Sequence, residues 1–122
     1  MRIARIVGIA TLAVGCASAG SAGPFPASGD PYNAISVAER EISAAQGVGA
    51  DSLASTEIGS ARQHLTAAQA QLARQDFNRA AVHAQQAEAQ ARAARAQAER
   101  VAAERERDRA RAALAALPPG GE

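Results

Sequence analysis

Residues 76–117 form a stretch that contains no Gly and no Pro and consists mainly of Ala, Arg, Gln and Glu. These residue types favour the helix, and their small preferences add up over so long a window. We therefore predict one helix of about forty residues, roughly 60 Å long at about 1.5 Å per residue. Its small and apolar residues recur at alternating intervals of three and four along one stripe: Phe77, Ala80, Ala84, Ala87, Ala91, Ala94, Ala98 and Val101. Such a stripe requires other helices to pack against it.

Two shorter segments carry stripes with the same spacing, and we predict them to be those partners. The first helix covers about residues 31–46 and the second about residues 56–74, with residues 47–54 as a loop between them. The stripes consist of Ile35, Ala38, Ile42 and Ala45 in the first helix and of Ile58, Ala61, Leu65, Ala68 and Leu72 in the second. The residues assigned to the helix ends are Asp30 as N-cap and Pro31 as first residue of the first helix, Gly47 as its C′ residue, Ser55 as N-cap of the second and Asp76 as N-cap of the third.

The connection at residues 75–76 is so short that the second and third helices must run antiparallel. The predicted fold class is therefore all-α, an antiparallel three-helix bundle or hairpin with a long projecting C-terminal helix at about residues 77–117. The shorter helices reach along the third only to about Val101, beyond which the stripe positions are Arg105 and Asp108. We expect this projecting part to be solvated and supported by ion pairs at i,i+3, namely Glu104–Arg107, Glu106–Arg109 and Asp108–Arg111.

The N-terminus has the features of an export signal. Residues 1–15 combine a short basic start with an apolar run of about ten residues, too short to span a bilayer. Gly15 precedes the only cysteine, Cys16, in a pattern that resembles the bacterial lipobox. That resemblance implies cleavage between Gly15 and Cys16, acylation of Cys16 and, since no Asp stands at position 17, sorting to the outer membrane. The alternatives are ordinary cleavage after Ala19, which leaves a soluble periplasmic or secreted protein, and a signal that is not cleaved.

The segments on either side of the helical domain, residues 30–117, are expected to be unstructured. Residues 16–29 are mainly Gly, Ser, Ala and Pro and are predicted to be a flexible tether spanning roughly 20 Å. Residues 118–122 are predicted to be a disordered tail.

Charge and residue types argue against most chemical functions. Removal of Arg2 and Arg5 with the signal leaves eleven basic residues of the thirteen, against twelve acidic ones, so nucleic-acid binding is not expected. The chain has no Lys, and no phosphate-binding or hydrolase motif is found. We expect no enzyme activity, no cofactor and no small-molecule substrate. His64 and His83 lack further ligands at suitable spacing, so no metal site is expected and both are predicted to be solvated.

The Arg residues of the third helix alternate with acidic residues and are interpreted as a salt-bridged, solvated face. Contact with lipid headgroups or an acidic partner is the alternative. The candidate partner surface lies near the tip of the helix and consists of Arg105, Arg109, Leu114 and Leu117.

Residues 60–99 resemble a bacterial envelope family, the domain of unknown function numbered four-three-nine-eight. The matching residues are Ala61, Arg62, Leu65, Ala68, Leu72, Phe77, Ala80, Ala84 and Ala87, and the resemblance covers about residues 31–101. Members of that family are Ala-rich and carry a signal or lipobox, and the family brings no catalytic residues to this chain. Some members continue into a peptidoglycan-binding domain. Since this chain stops at Glu122, no wall-binding activity is expected.

These observations favour a lipid-anchored structural or protein-interaction module of the bacterial cell envelope, attached to the outer membrane and facing the periplasm. Its partners would be the membrane, through the lipid, and an envelope protein. One alternative is a self-associating coiled-coil protein, whose oligomer would be lost on Leu114→Glu combined with Leu117→Glu. Another is a soluble periplasmic adaptor or chaperone, which would lack acylation.

Overall fold

The computed structural model describes residues 29–120. Within this range the chain forms four α-helices and no β-strand, which confirms the predicted all-α fold class. The helices are α1 at Pro31–Gly47, α2 at Ala50–Leu53, α3 at Ser55–Ala73 and α4 at Phe77–Ala115. The three long helices begin and end within two residues of the predicted bounds. The predicted signal, Gly15, Cys16, residues 17–28 of the tether and the last two residues of the tail lie outside the described range.

The start of α1 follows from the local sequence as predicted. The side chain of Asp30 caps the helix, since its Oδ1 accepts a hydrogen bond of 3.0 Å from the backbone N–H of Tyr32. Pro31 occupies the first helical position, where its missing N–H has no intrahelical partner to lose.

The connection between α1 and α3 differs from the predicted loop. Gly47 is still part of α1, and the left-handed backbone conformation belongs to Gly49, which has a φ of 83°. The assignment of Gly47 as the C′ residue is therefore wrong. Gly49 instead precedes α2, a single helical turn that is too short to show any hydrophobic periodicity in the sequence.

The N-cap of α3 also differs from the prediction. Ala54 is the cap, with a non-helical backbone conformation, and Ser55 is the first helical residue and makes no capping hydrogen bond through its side chain. The reason is tertiary, since Ala50 and Ala54 are both buried. Burial of these two small residues seats α2 on the end of the bundle and places the start of α3 one residue earlier.

The turn between α3 and α4 is built as predicted around Asp76. Its Oδ1 accepts the backbone N–H of Arg79 at 3.1 Å, which caps α4. Gln75 takes a φ of 60°, and the N–H of Asp76 donates to the carbonyl of Gln71 at 3.0 Å. Within this turn the chain reverses, so α3 and α4 run antiparallel.

The helix α4 lies at the centre of the bundle, because α1 and α3 each contact it more extensively than they contact each other. Its stripe is fully buried at Ala80, Ala84, Ala87, Ala91, Ala94 and Ala98. Ala81, which lies off the stripe, is also fully buried, since helices on two sides cover a wider face than one stripe. The predicted stripe ends are less covered, with Phe77 48% exposed and Val101 half-buried.

The opposing side chains come from α1 and α3. Those that are buried are Ile35, Ala38, Ile42 and Ala45 in α1 and Ile58, Ala61 and Ala68 in α3. Leu65 and Leu72 are only half-buried and pack against the edges of the core. Ile58 is the largest fully buried side chain among the described residues. The core therefore depends on close approach of helices at Ala and contains few large side chains.

Candidate interaction surface

The bundle covers only the first part of α4. Ala98 is fully buried and Val101 is half-buried, whereas every residue from 102 to 120 is exposed. We call residues 102–115, the uncovered part of the helix, the α4 extension. It is about 21 Å long at about 1.5 Å per residue. This arrangement agrees with the expectation that the helix projects beyond its neighbours.

The candidate partner residues all lie at or just beyond this extension. Arg105 and Arg109 lie within it, and Leu114, in its last turn, is 67% exposed. Leu117 is 63% exposed but lies past the end of the helix, which stops at Ala115 and not at Leu117 as predicted. The backbone leaves the helix through a tightened turn in which the N–H of Leu117 donates to the carbonyl of Leu114 at 3.2 Å. The following Pro residues disfavour continuation of the helix.

One of the three ion pairs predicted for the extension is formed. The Arg109 Nη1 and Glu106 Oε1 atoms are 2.7 Å apart, as expected for an i,i+3 pair. The pairs Glu104–Arg107 and Asp108–Arg111 do not form in the described part of the chain. Both members of the formed pair are at least 70% exposed, so it contributes at most about 1 kcal/mol. The extension is held mainly by its own helix propensity.

Nearer the bundle, Arg79, Arg92 and Arg95 of α4 are paired with acids, whereas Arg100 donates to the side chain of Gln97. Arg92 contacts Glu88 on its own helix at 2.6 Å and Glu41 on α1 at 3.6 Å. Arg95 pairs with Glu99 at 2.9 Å. This supports the interpretation of the Arg-rich face as solvated and salt-bridged. The same contact between Arg92 and Glu41 also joins α1 to α4.

The two histidines come together across α3 and α4. The ring centroids of His64 and His83 are 5.9 Å apart, and the rings are stacked with an angle of 28° between their planes. Both residues are half-buried, and His83 Nδ1 is buried without a hydrogen-bond partner. The prediction that both are solvated is therefore wrong. The approach follows from the antiparallel turn, a tertiary contact that the separate helix patterns do not contain. Among residues 29–120, no group of three or more His, Cys, Asp or Glu side chains is arranged to hold a metal ion.

The anchoring residues proposed from the sequence, Gly15 and Cys16, lie outside the described range. Within that range, none of the helices is both long enough and apolar enough to span a bilayer. The described chain begins at the end of the bundle where α1 starts. Because Ala45 of α1 packs in the same cluster as Ala94 and Ala98 of α4, α1 and α4 run parallel. The α4 extension is therefore at the end of the bundle opposite Asp30 and the start of α1.

Residues 33–116 match the family model described as Domain of unknown function (DUF4398). The match begins inside α1 and ends one residue after α4, so it includes the α4 extension. The resemblance drawn from the sequence is thereby confirmed, and it extends further along the chain than residue 101. No curated protein and no solved structure matches the chain.

Proposed function

The chain belongs to the DUF4398 family, and we propose that it is a non-catalytic, lipid-anchored interaction module of the bacterial cell envelope. In this proposal Cys16 carries the lipid, residues 17–29 are the tether, and the bundle lies on the periplasmic side of the outer membrane. The α4 extension presents a charged helical surface to a protein partner.

The observation that carries the proposal is the full exposure of residues 102–115 while they remain helical. Ordering a residue costs about 1–2 kcal/mol of backbone entropy, and this segment offsets that cost without burying any side chain against α1, α2 or α3. A solvated helix that continues beyond its bundle is well placed to bind another molecule. The bundle interior consists of Ala and Ile side chains, which provide packing and no catalytic group.

Acylation is tested by expressing the full chain in a Gram-negative host with labelled palmitate, beside Cys16→Ser as the matched control. We expect label and a lipid-sized mass increment on the wild type only, together with fractionation into the outer membrane. An unlabelled wild type with its N-terminus at Gly20 would contradict the anchor. It would favour the soluble periplasmic adaptor instead.

The interaction surface is tested separately, by placing a photo-crosslinking amino acid at position 109 in the extension. The matched control carries it at position 63, an exposed residue of α3 within the bundle. We expect discrete crosslinked products from position 109 and none of comparable yield from position 63. Equal or absent crosslinking at both positions would contradict an interaction surface on the extension.

A further inference from the structure

We propose that the partner of the α4 extension is a second copy of this chain, bound antiparallel in one register centred between Glu106 and Arg107. This inference rests on the proposed function, since it names the partner of the same surface. Two observations support it: the order of opposite charges along the extension, and the lack of ion-pair partners within the described part of one chain for several of these charges.

The stripe that α4 buries inside the bundle continues without a break into the extension. After Ala98 the same alternating spacing gives Val101, Arg105, Asp108, Ala112 and Ala115. Arg105 and Asp108 therefore occupy the positions at which a packed partner helix would lie. They are opposite in charge, and neither forms an ion pair in the described part of the chain.

An antiparallel second copy pairs these two charges. The stripe positions of a helix fall into two alternating sets. In an antiparallel two-helix contact, each set on one helix faces the other set on its partner. When Arg105 faces Asp108 of the second copy, the two-fold symmetry makes Asp108 face the second Arg105. The same register places Val101 opposite Ala112. A parallel pair would set Arg105 against Arg105 and Asp108 against Asp108, which like-charge repulsion disfavours.

The residues beside the stripe fit the same arrangement. Glu104 and Arg111 flank it on one side, and in the antiparallel register Glu104 of one copy lies beside Arg111 of the other. Neither is in an ion pair within the described part of the single chain. By contrast, Arg109 is already paired within its own chain, with Glu106. Glu106 lies away from the stripe. Arg105 and Asp108 on the stripe, and Glu104 and Arg111 beside it, thus lack ion-pair partners in the described part of one chain and face opposite charges in the second copy.

The fold also limits how far the two helices overlap. Ala98 is fully buried by its own bundle, so the second copy can cover the stripe only from about Val101 onward. An overlap of about twelve residues buries less than a standard interface of about 1,600 Å², so the dimer is weak in solution.

The extension carries four Arg and three acidic residues, so it has almost no net charge. A surface for a polyanion or an anionic membrane would need a basic excess. Alternation of opposite charges instead suits a partner that carries the same alternation in reverse, which is what an antiparallel copy provides.

The test is sedimentation equilibrium on residues 17–122, which contain every described helix, at concentrations up to about 1 mM, where Kd values in the micromolar to millimolar range are measurable. We expect a reversible monomer–dimer equilibrium that weakens with added salt. Arg105→Asp alone, or Asp108→Arg alone, should raise the Kd by roughly tenfold or more, because each creates two facing like-charge pairs. The double variant, and an equimolar mixture of the two single variants, should both restore association.

Arg107→Asp is the matched control, because it makes the same chemical change two positions from Arg105 on the far side of the helix. It should leave the dimer within about threefold of the wild type. Circular dichroism checks that each variant remains helical. A wild type that stays monomeric at every concentration would overturn the proposal, as would equal weakening by Arg107→Asp or failure of the double variant to recover. A crosslink from position 109 to a protein of different mass, with no self-association, would also overturn it while supporting the proposed function.

Discussion

Replacing Ala91 by Leu tests whether the bundle depends on close approach of α1 and α3 to the Ala stripe of α4. Ala91 is fully buried and belongs to the same core cluster as Ile42 and Ile58. Leu adds three carbon atoms at a position with no exposed surface. Forcing extra methylene groups into a packed core costs about 1–3 kcal/mol, because neighbouring side chains and backbone must shift.

The size of this effect follows from the small size of the domain. For a folded unit of roughly ninety residues, each kcal/mol of lost stability lowers the melting temperature by about 4–8 °C. We therefore expect the melting temperature of Ala91→Leu to fall by roughly 4–24 °C. Thermal and urea unfolding followed by far-ultraviolet circular dichroism measure it directly, since the described chain is almost entirely helical.

Ala103→Leu is the matched control, because Ala103 lies on the same helix but is exposed in the α4 extension. Ala and Leu have similar helix propensities, so this variant should stay within about 0.5 kcal/mol of the wild type. If Ala91→Leu melted within about 2 °C of Ala103→Leu, helix approach at the Ala stripe would not limit stability. The reasoning about the core would then be refuted.

Further substitutions at four positions test local features of the fold by urea unfolding. Gly49→Ala should lower the free energy of unfolding by about 1–2 kcal/mol, because Gly49 has a φ of 83°. Gly59→Ala should raise it by about 0.5–1 kcal/mol, because Gly59 lies inside α3 with open space around it. A stabilising Gly49→Ala together with a destabilising Gly59→Ala would contradict the backbone conformations assigned to these two residues. Asp76→Ala should cost about 1 kcal/mol through loss of the cap on α4, while Asp76→Asn should cost less. His83→Leu should be neutral or stabilising, because it removes a buried Nδ1 without a partner; a loss above about 1 kcal/mol would contradict this.

The caps and the stripes show how far local sequence information reaches. Asp30 and Asp76 cap α1 and α4 as predicted, because an Asp side chain bonds to backbone N–H groups within three residues of itself. The alternating stripe of α4 predicts which Ala residues are buried, because a helix places those positions on one face whatever packs there. For the candidate surface, the charged residues Arg105 and Asp108 at the stripe positions after Val101 indicate where coverage ends, and residues 102–120 are exposed.

Where the sequence predictions fail, the deciding contact joins distant parts of the chain. Ser55 is a good local N-cap, but burial of Ala54 against the bundle shifts the start of α3. His64 and His83 look solvated when each helix is read alone, yet the antiparallel turn stacks their rings. One failure is local instead: each charge of the extension has several possible partners on the same helix, and only Glu106–Arg109 forms within the described residues.

The sequence by itself determined the three long helices, their order, the stripes that they bury and the family of this protein, because helix propensity, capping and periodicity are local properties of the chain. The tertiary structure decided which residues those faces meet, including the single turn α2, the deep burial of Ala81 and the pairing of Arg92 with Glu41. These features depend on distances between helices, and such distances arise only when the helices pack.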